Sequence, residues 1–144
     1  MINIDKLLKE LICELESEHK DNFTGLVLFG SYAKGTQTPK SDVDIILTFK
    51  KLNCNPQDYT DVVIKTTLEI EDKYKIDINP IVSIESKLAK TPLTLEIADY
   101  AKIIVDKNKD IKKLFDSIKQ DYKEGFVKKI FRNGYSFIQI IENV

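Results

Sequence analysis

Apolar residues along the chain recur at two spacings, and each spacing predicts a type of element. Near the N-terminus the apolar positions lie three or four residues apart, so that they share one face of a helix. The members of this set are Ile4, Leu7, Leu8, Leu11, Ile12 and Leu15. The pattern predicts an amphipathic helix over residues 4–18, and a similar broad apolar face predicts a second helix over residues 57–73. His19 follows the first helix among charged neighbours, which predicts a side chain on the surface.

Short apolar runs predict three strands around these helices. The first covers residues 26–29, the second carries Asp42 and Asp44 and ends at Phe49, and the third covers residues 74–82 with alternating apolar and polar positions. Pro80 predicts that the third strand lies at a sheet edge or bends there, because proline has no N–H to donate to a neighbour. The succession of strands and crossover helix predicts an α/β fold in which that helix packs on the sheet.

The C-terminal part of the chain is predicted to be helical. Apolar residues at helical spacing resume after Lys109, Gly125 interrupts them, and Asn133-Gly134 marks a turn or a helix end. We therefore predict a main unit of residues 1–106 and a helical extension of residues 107–144. The two together form one domain. The extension is too apolar to be disordered, so we expect it to cover the core or to form an interface in a homo- or hetero-oligomer.

Composition and charge exclude several classes of protein. A length of 144 residues suits one domain. A net charge of −1 argues against a nucleic-acid-binding domain held by bulk electrostatics. Two isolated cysteines, Cys13 and Cys54, are too few for a zinc site or a disulfide framework. Because no apolar run is long enough for a membrane span and no signal-peptide core is present, we expect a cytoplasmic protein without a membrane partner.

Two carboxylates and a glycine turn on neighbouring strands point to one site. Asp42 and Asp44 are two residues apart on a strand and therefore share a face. Paired carboxylates repel each other and are costly to desolvate, unless a hard cation lies between them. Mg²⁺ prefers one or two carboxylates together with phosphate oxygens, and the backbone N–H groups after the Gly30-Ser31 turn can bind such phosphates. The two features together predict a site for Mg²⁺ and a nucleoside triphosphate.

These residues also carry a resemblance to a known family. The pattern G-S-x-A-x-G followed by S-D-x-D is met by Gly30, Ser31, Ala33, Gly35, Ser41, Asp42 and Asp44. With this pattern the chain resembles the minimal nucleotidyltransferases of the DNA polymerase β superfamily, over about residues 20–105. The resemblance implies a small mixed sheet flanked by helices, and transfer of a nucleotide from ATP or a similar triphosphate to a hydroxyl group.

The resemblance also implies a third carboxylate and two Mg²⁺ ions. The family places that carboxylate on the strand after the crossover helix, where Asp77 is the acidic residue that matches. Asp42 and Asp44 would then bind the ion that holds the triphosphate, and all three aspartates would share the second ion. The plain alternative for Asp77 is a solvent-facing residue on an edge strand.

Four further residues are assigned to the nucleotide by the same resemblance. Gly30 and Ser31 would bind the β and γ phosphates, and Lys34 would neutralise developing charge, unless it is only an exposed lysine in a turn. Ser41 belongs to the same nucleotide-binding motif, although we expect it to cap or orient the strand rather than to touch substrate.

The acceptor of the nucleotide is left open among three alternatives. The chain is similar in size and motif to antitoxins of HEPN–MNT toxin–antitoxin pairs, which would make it a protein adenylyltransferase acting on a HEPN ribonuclease toxin. It also resembles aminoglycoside-type antibiotic nucleotidyltransferases, where Glu96 or Asp99 would have to serve as an additional base. The third alternative is a non-catalytic binding module. Nucleic acid ranks last, because the tail lacks a basic stripe with interleaved aromatic residues, and protein adenylylation ranks first.

Overall fold

The computed structural model describes residues 2–52 and 56–141, which contain five α-helices, six β-strands and two short 3-10 helices. Cys54 lies outside the described residues, and Cys13 is exposed. The elements are α1 (Ile4–His19), β1 (Phe23–Phe29), α2 (Ser31–Lys34), β2 (Val43–Phe49), α3 (Pro56–Tyr74), β3 (Ile78–Ile84), α4 (Pro92–Ile97), β4 (Lys102–Asp106), α5 (Asp110–Glu124), β5 (Val127–Arg132) and β6 (Tyr135–Ile140).

Four strands form a mixed sheet in the order β3-β2-β1-β4. Strand β1 runs antiparallel to both β2 and β4, whereas β2 and β3 are parallel. A parallel pair needs a long connection, and α3 supplies it. The predicted α/β fold with a small mixed sheet is confirmed, and Pro80 lies on an edge strand as its missing N–H requires.

Helices cover both faces of this sheet, because successive strand residues point to opposite sides. Leu26 and Ile45 pack with α1 and α3 on one face, and their neighbours Val27 and Ile46 pack with α4 and α5 on the other. The sheet is therefore buried on both sides along β1 and β2. The ends of these strands remain accessible, and the candidate site lies at one of them.

His19 is buried, which contradicts the predicted surface position. Only 9% of its side chain is exposed, and its ring packs edge-on against Phe49 with 5.1 Å between centroids. Its Nδ1 lies 3.1 Å from the hydroxyl oxygen of Tyr59 on α3. Burial lowers the pKa of His19, and the neighbouring Glu18 carboxylate opposes that shift. The charged sequence neighbours of His19 predicted an exposed side chain. The prediction failed because the end of α1 packs against α3 and β2, which supply Tyr59 and Phe49.

The extension is helical only as far as Glu124, so the predicted helix is wrong for residues 127–140. Strands β5 and β6 form an antiparallel hairpin that pairs Val127 with Ile140 and Arg132 with Tyr135. Its turn is Asn133-Gly134, with φ of 52° and 80°. Two left-handed residues between strands are typical of a type I′ hairpin, for which Asn-Gly is the preferred sequence. Residues 142–144 of the extension lie outside the described residues.

The helices in residues 2–52 and 56–141 are all too short or too polar to cross a bilayer.

Candidate active site

Gly30 connects β1 to the short helix α2 and makes room for Asp44. Its φ is +72°, a conformation that residues with a side chain adopt at a cost. A Cβ atom at this position would overlap Oδ2 of Asp44. The glycine is therefore required twice, by the turn itself and by the carboxylate that approaches it.

The carboxylates of Asp42 and Asp44 converge on one point at the start of β2. The side-chain amide nitrogen of Asn79 donates to Oδ2 of Asp42 and to Oδ1 of Asp44, at 3.2 Å in each case. A single positively polarised group thus already lies between the two oxygens and offsets their repulsion. Asp42 is exposed and Asp44 half-buried, so a ligand can reach both. Two convergent, accessible carboxylates fit a hard cation such as Mg²⁺, which completes its shell with phosphate oxygens and water.

Asn79 is a site residue that the sequence analysis did not assign. Parallel pairing of β2 and β3 places it directly beside Asp44. The alternation of the third strand had put Asn79 on the polar face together with Asp77, and that signal could have identified it. Asn79 is not acidic, so it is no candidate for the third carboxylate that the family resemblance implies.

Asp77 precedes β3 rather than lying at the centre of the strand. Its carbonyl oxygen accepts a hydrogen bond of 2.9 Å from the Val43 amide, which belongs to the first pair of the two parallel strands, Val43 with Ile78. Asp77 and Asp42 also line a common cleft of about 580 Å³. Within residues 2–52 and 56–141, however, no three acidic, histidine or cysteine side chains are grouped closely enough to hold a metal ion. The structure brings Asp42 and Asp44 together but not Asp77, whose role stays a prediction.

The other predicted site residues surround the carboxylate pair. Ser31 is the first residue of α2, directly after Gly30. Lys34 ends that helix, with its ammonium 4.5 Å from the ring centroid of Tyr100. Ser41 Oγ accepts a hydrogen bond of 2.8 Å from the Thr38 amide, which fixes the loop before β2. This contact agrees with an orienting role for Ser41.

Tyr100, in the segment between α4 and β4, reaches the same turn. The Gly30 amide donates to its hydroxyl oxygen at 3.4 Å. Burial raises the pKa of the Tyr100 hydroxyl above its usual value; the Gly30 contact opposes this shift, and the carboxylates of Glu96, Asp99 and Asp44 reinforce it. The hydroxyl is therefore protonated at neutral pH and able to donate. The sequence contained no signal for this contact, which joins residues seventy positions apart.

The family of the chain follows from a match over most of its length. Residues 10–110, which include the glycine turn and both strands that meet at the site, match the family described as "Polymerase beta, Nucleotidyltransferase". The chain belongs to this nucleotidyltransferase family. The resemblance drawn from the motif and the assignment as an enzyme are both confirmed.

Relatives of similar length support this assignment. A Methanocaldococcus jannaschii protein named "Putative protein adenylyltransferase MJ1305" is 31% identical over 131 residues, which cover 89% of this chain and 88% of that protein. A second protein of that organism, named "Putative protein adenylyltransferase MJ0604", is 34% identical and covers 62% of this chain and 82% of its own.

Solved structures share the fold of this nucleotidyltransferase. A crystal structure of a mutant MntA-HpeT toxin-antitoxin aligns with a TM-score of 0.56 and 18% identity, over 85% of this chain and 89% of that one. A toxin-antitoxin crystal structure with AMP-PNP aligns with a TM-score of 0.55 and 19% identity, over 81% of this chain and 86% of that one. At these identities the likeness establishes the fold.

Proposed function

We propose that this nucleotidyltransferase transfers AMP from ATP to a hydroxyl group of a partner protein. The observation that carries the proposal is the convergence of Asp42 and Asp44 on one point beside Gly30. This arrangement suits a triphosphate whose charge must be neutralised while one phosphoryl bond is exchanged for another. The protein acceptor is supported by the names of the relatives, which are those of protein adenylyltransferases.

Each site residue has a defined task in this reaction. Asp42 and Asp44 would hold Mg²⁺, with Asp77 as the further ligand that a second ion requires. When bound, Mg²⁺ supplies positive charge to the triphosphate and favours ionisation of the acceptor hydroxyl. The backbone at Gly30 and Ser31 binds the leaving pyrophosphate. Pyrophosphate departs as the acceptor oxygen forms its bond to the α phosphorus, and the hydroxyl proton passes to solvent.

The acceptor in this proposal is a tyrosine of a HEPN-type ribonuclease toxin. Supporting it are the chain's size and the toxin–antitoxin proteins that share its fold. A suitable contact surface is the outward face of the hairpin, where Tyr135 is 70% and Phe137 54% exposed. Exposed aromatic side chains on one face are characteristic of surfaces that bind another protein.

The antibiotic-modifying alternative is less well supported by the geometry. The additional base would have to come from Glu96 or Asp99, and both already bind hairpin residues. Ser136 lies 3.1 Å from the Glu96 carboxylate, and Lys129 lies 3.0 Å from that of Asp99.

The test is a transfer assay with α-labelled ATP, Mg²⁺ and, as candidate acceptor, a purified HEPN-type ribonuclease. We expect label on a tyrosine of that protein, located by mass spectrometry. The Asp44→Asn variant removes the charge and keeps the shape, so its label should fall at least about a hundredfold without loss of thermal stability. ATP labelled on the γ phosphate should leave the protein unlabelled, because pyrophosphate departs.

Three outcomes would contradict all or part of the proposal. Label on an added aminoglycoside but on no protein would establish the drug-modifying alternative. If the Asp44→Asn variant still inhibits the toxin and no acceptor is labelled, the protein is a binding module. Transfer that survives chelation of divalent ions with EDTA would exclude the role given to Mg²⁺.

A further inference from the structure

The Tyr100 hydroxyl accepts a hydrogen bond at the Gly30 turn, where the proposed function places the phosphates of the nucleotide. The amide that donates to it belongs to Gly30, the first residue of the turn that would bind the phosphates. Tyr100 lies in the short segment between α4 and β4, so its ring comes from a different part of the fold from the glycine turn. The ring also lies under the Lys34 ammonium, at 4.5 Å. A phenol, an ammonium and a backbone N–H are three donors suited to phosphate oxygens.

The position of Tyr100 favours a phosphate contact over acceptance of AMP. In phosphoryl transfer the attacking and leaving oxygens are roughly in line across the phosphorus. Gly30 and Ser31 bind the leaving pyrophosphate, so a hydroxyl beside Gly30 is on the leaving side. An acceptor oxygen has to approach from the opposite side.

Lys129 of the C-terminal hairpin holds the segment that carries Tyr100. Its ammonium lies 2.8 Å from the carbonyl oxygen of Glu96, 3.0 Å and 3.1 Å from the two carboxylate oxygens of Asp99, and 5.9 Å from the Tyr100 ring centroid. Only 15% of this side chain is exposed. Ser136 binds the Glu96 carboxylate from the other hairpin strand, so both strands are fastened to the end of α4.

We propose that Tyr100 is a nucleotide-binding residue whose hydroxyl donates to a phosphate oxygen of bound ATP, and that Lys129 is a positioning residue that holds Tyr100 in place. This inference rests on the proposed function, because it needs a triphosphate at the Gly30 turn. It gives the hairpin, which lies beyond the family match at residues 10–110, a part in forming the nucleotide site.

The test measures ATP affinity of the full-length protein with Mg²⁺ and no acceptor, by isothermal titration calorimetry. Tyr100→Phe removes only the hydroxyl, and we expect the dissociation constant to rise about threefold to tenfold, the effect of one hydrogen bond. Lys129→Met should weaken binding to a similar extent, and Lys129→Arg should restore most of it. Lys128→Met is the matched control, since Lys128 is the preceding, exposed residue of the same strand; it should bind ATP as the unaltered protein does.

A double variant separates positioning from a direct effect. If Lys129 acts through Tyr100, Tyr100→Phe combined with Lys129→Met should bind ATP no more weakly than the more affected single variant. In transfer assays the KM for ATP should rise while kcat stays unchanged, because the phosphate contact is made equally before and during transfer. Additive losses in the double variant would overturn the positioning role of Lys129.

The inference and the proposed function can fail separately. If the unaltered protein binds ATP and transfers AMP while Tyr100→Phe leaves affinity within about twofold, only the inference is wrong. If the unaltered protein does not bind ATP with Mg²⁺, the proposed function is wrong and the inference with it. Circular dichroism of each variant shows whether it is folded. If Lys129→Met does not fold, Tyr100→Phe, which keeps the packing of the ring, still tests the phosphate contact.

Discussion

At the scale of single residues, Gly30 determines whether Asp44 can occupy its position. Gly30→Ala should cost about 1–3 kcal/mol of stability from backbone strain and should displace the Asp44 carboxylate, which abolishes transfer. Gly35→Ala is the matched control, because Gly35 has a similar φ of +75° but no atom within 4 Å of the added Cβ. We expect that variant to lose about 1 kcal/mol and to keep its activity. Thermal unfolding and the transfer assay together check both. Equal loss of activity in the two variants would show that strain, not the approach of Asp44, is decisive.

The third metal ligand is a second question at this scale, with two neighbouring candidates. Asp77→Asn should reduce transfer at least about a hundredfold if Asp77 turns toward the pair when Mg²⁺ binds. Asn79→Ala should retain measurable transfer, because it removes an amide that supports the pair and no charge. Initial rates against Mg²⁺ concentration measure both effects. Full activity in Asp77→Asn would exclude that residue as a ligand.

Burial of His19 makes the stability of the fold depend on pH. Its pKa is lowered in the folded state, so the unfolded chain binds the proton first. The stabilisation is complete above the ordinary imidazole pKa of about 6.5 and is lost as the pH falls below it. The midpoint of thermal unfolding should therefore fall on acidification more steeply for the native chain than for His19→Gln. Parallel curves for the two proteins would contradict this assignment.

Sequence reasoning found the residues of the site that carry charge or break a strand. Asp42 and Asp44 were recognised because two carboxylates on one strand face repel each other unless a cation binds between them. Gly30 was recognised because it ends an apolar run. Asn79 carries no charge and therefore gave no comparable signal. Tyr100 and Lys129 could not be found, because their contacts depend on how α4 and the hairpin pack against the sheet.

At the scale of elements, the hairpin β5–β6 depends on two turn residues that adopt positive φ. Asn133 has a φ of 52°, which asparagine tolerates and β-branched residues do not. Asn133→Val should destabilise the hairpin by about 1–2 kcal/mol and speed amide hydrogen exchange in β5 and β6 but not in α1. Gln139→Val, at an exposed position within β6, serves as the control. Unchanged protection in Asn133→Val would mean that the turn does not limit hairpin stability.

The same hairpin shows why the element type was mistaken. The apolar residues of the tail fit helical spacing, although Asn133-Gly134, a preferred hairpin turn, lies between two short runs of six residues. Periods of two and of three to four residues overlap in short segments, and the turn residues decide between them. Strands β1 and β2 were easier to predict, because their apolar runs are continuous and buried on both faces.

At the scale of the whole molecule, the extension has two parts with different effects on stability. Ile111, Phe115 and Ile118 of α5 are 2%, 3% and 0% exposed, and each buried side chain stabilises by about 1.5–3 kcal/mol. A chain that ends after Val105 loses all three, a large fraction of a typical total of about 5–15 kcal/mol, and should be insoluble or unfolded. A chain that ends after Gly125 keeps α5 and should fold with a lower melting temperature. Calorimetry of the two truncated proteins checks the difference, and a folded, soluble 1–105 chain would contradict it.

The parallel pairing of β2 and β3 has a consequence for the order in which the protein folds. Strands β1 and β2 are joined by a short connection and can pair early, whereas β3 joins β2 only after α3 has spanned the gap. Closing that longer loop costs chain entropy before any contact offsets it. During synthesis Asp44 can therefore pair with β1 before Asn79 reaches the two aspartates. A nascent chain can therefore contain the complete motif from Gly30 to Asp44 and still be inactive. It becomes active only after α3, β3 and the later segments have been synthesised and have packed.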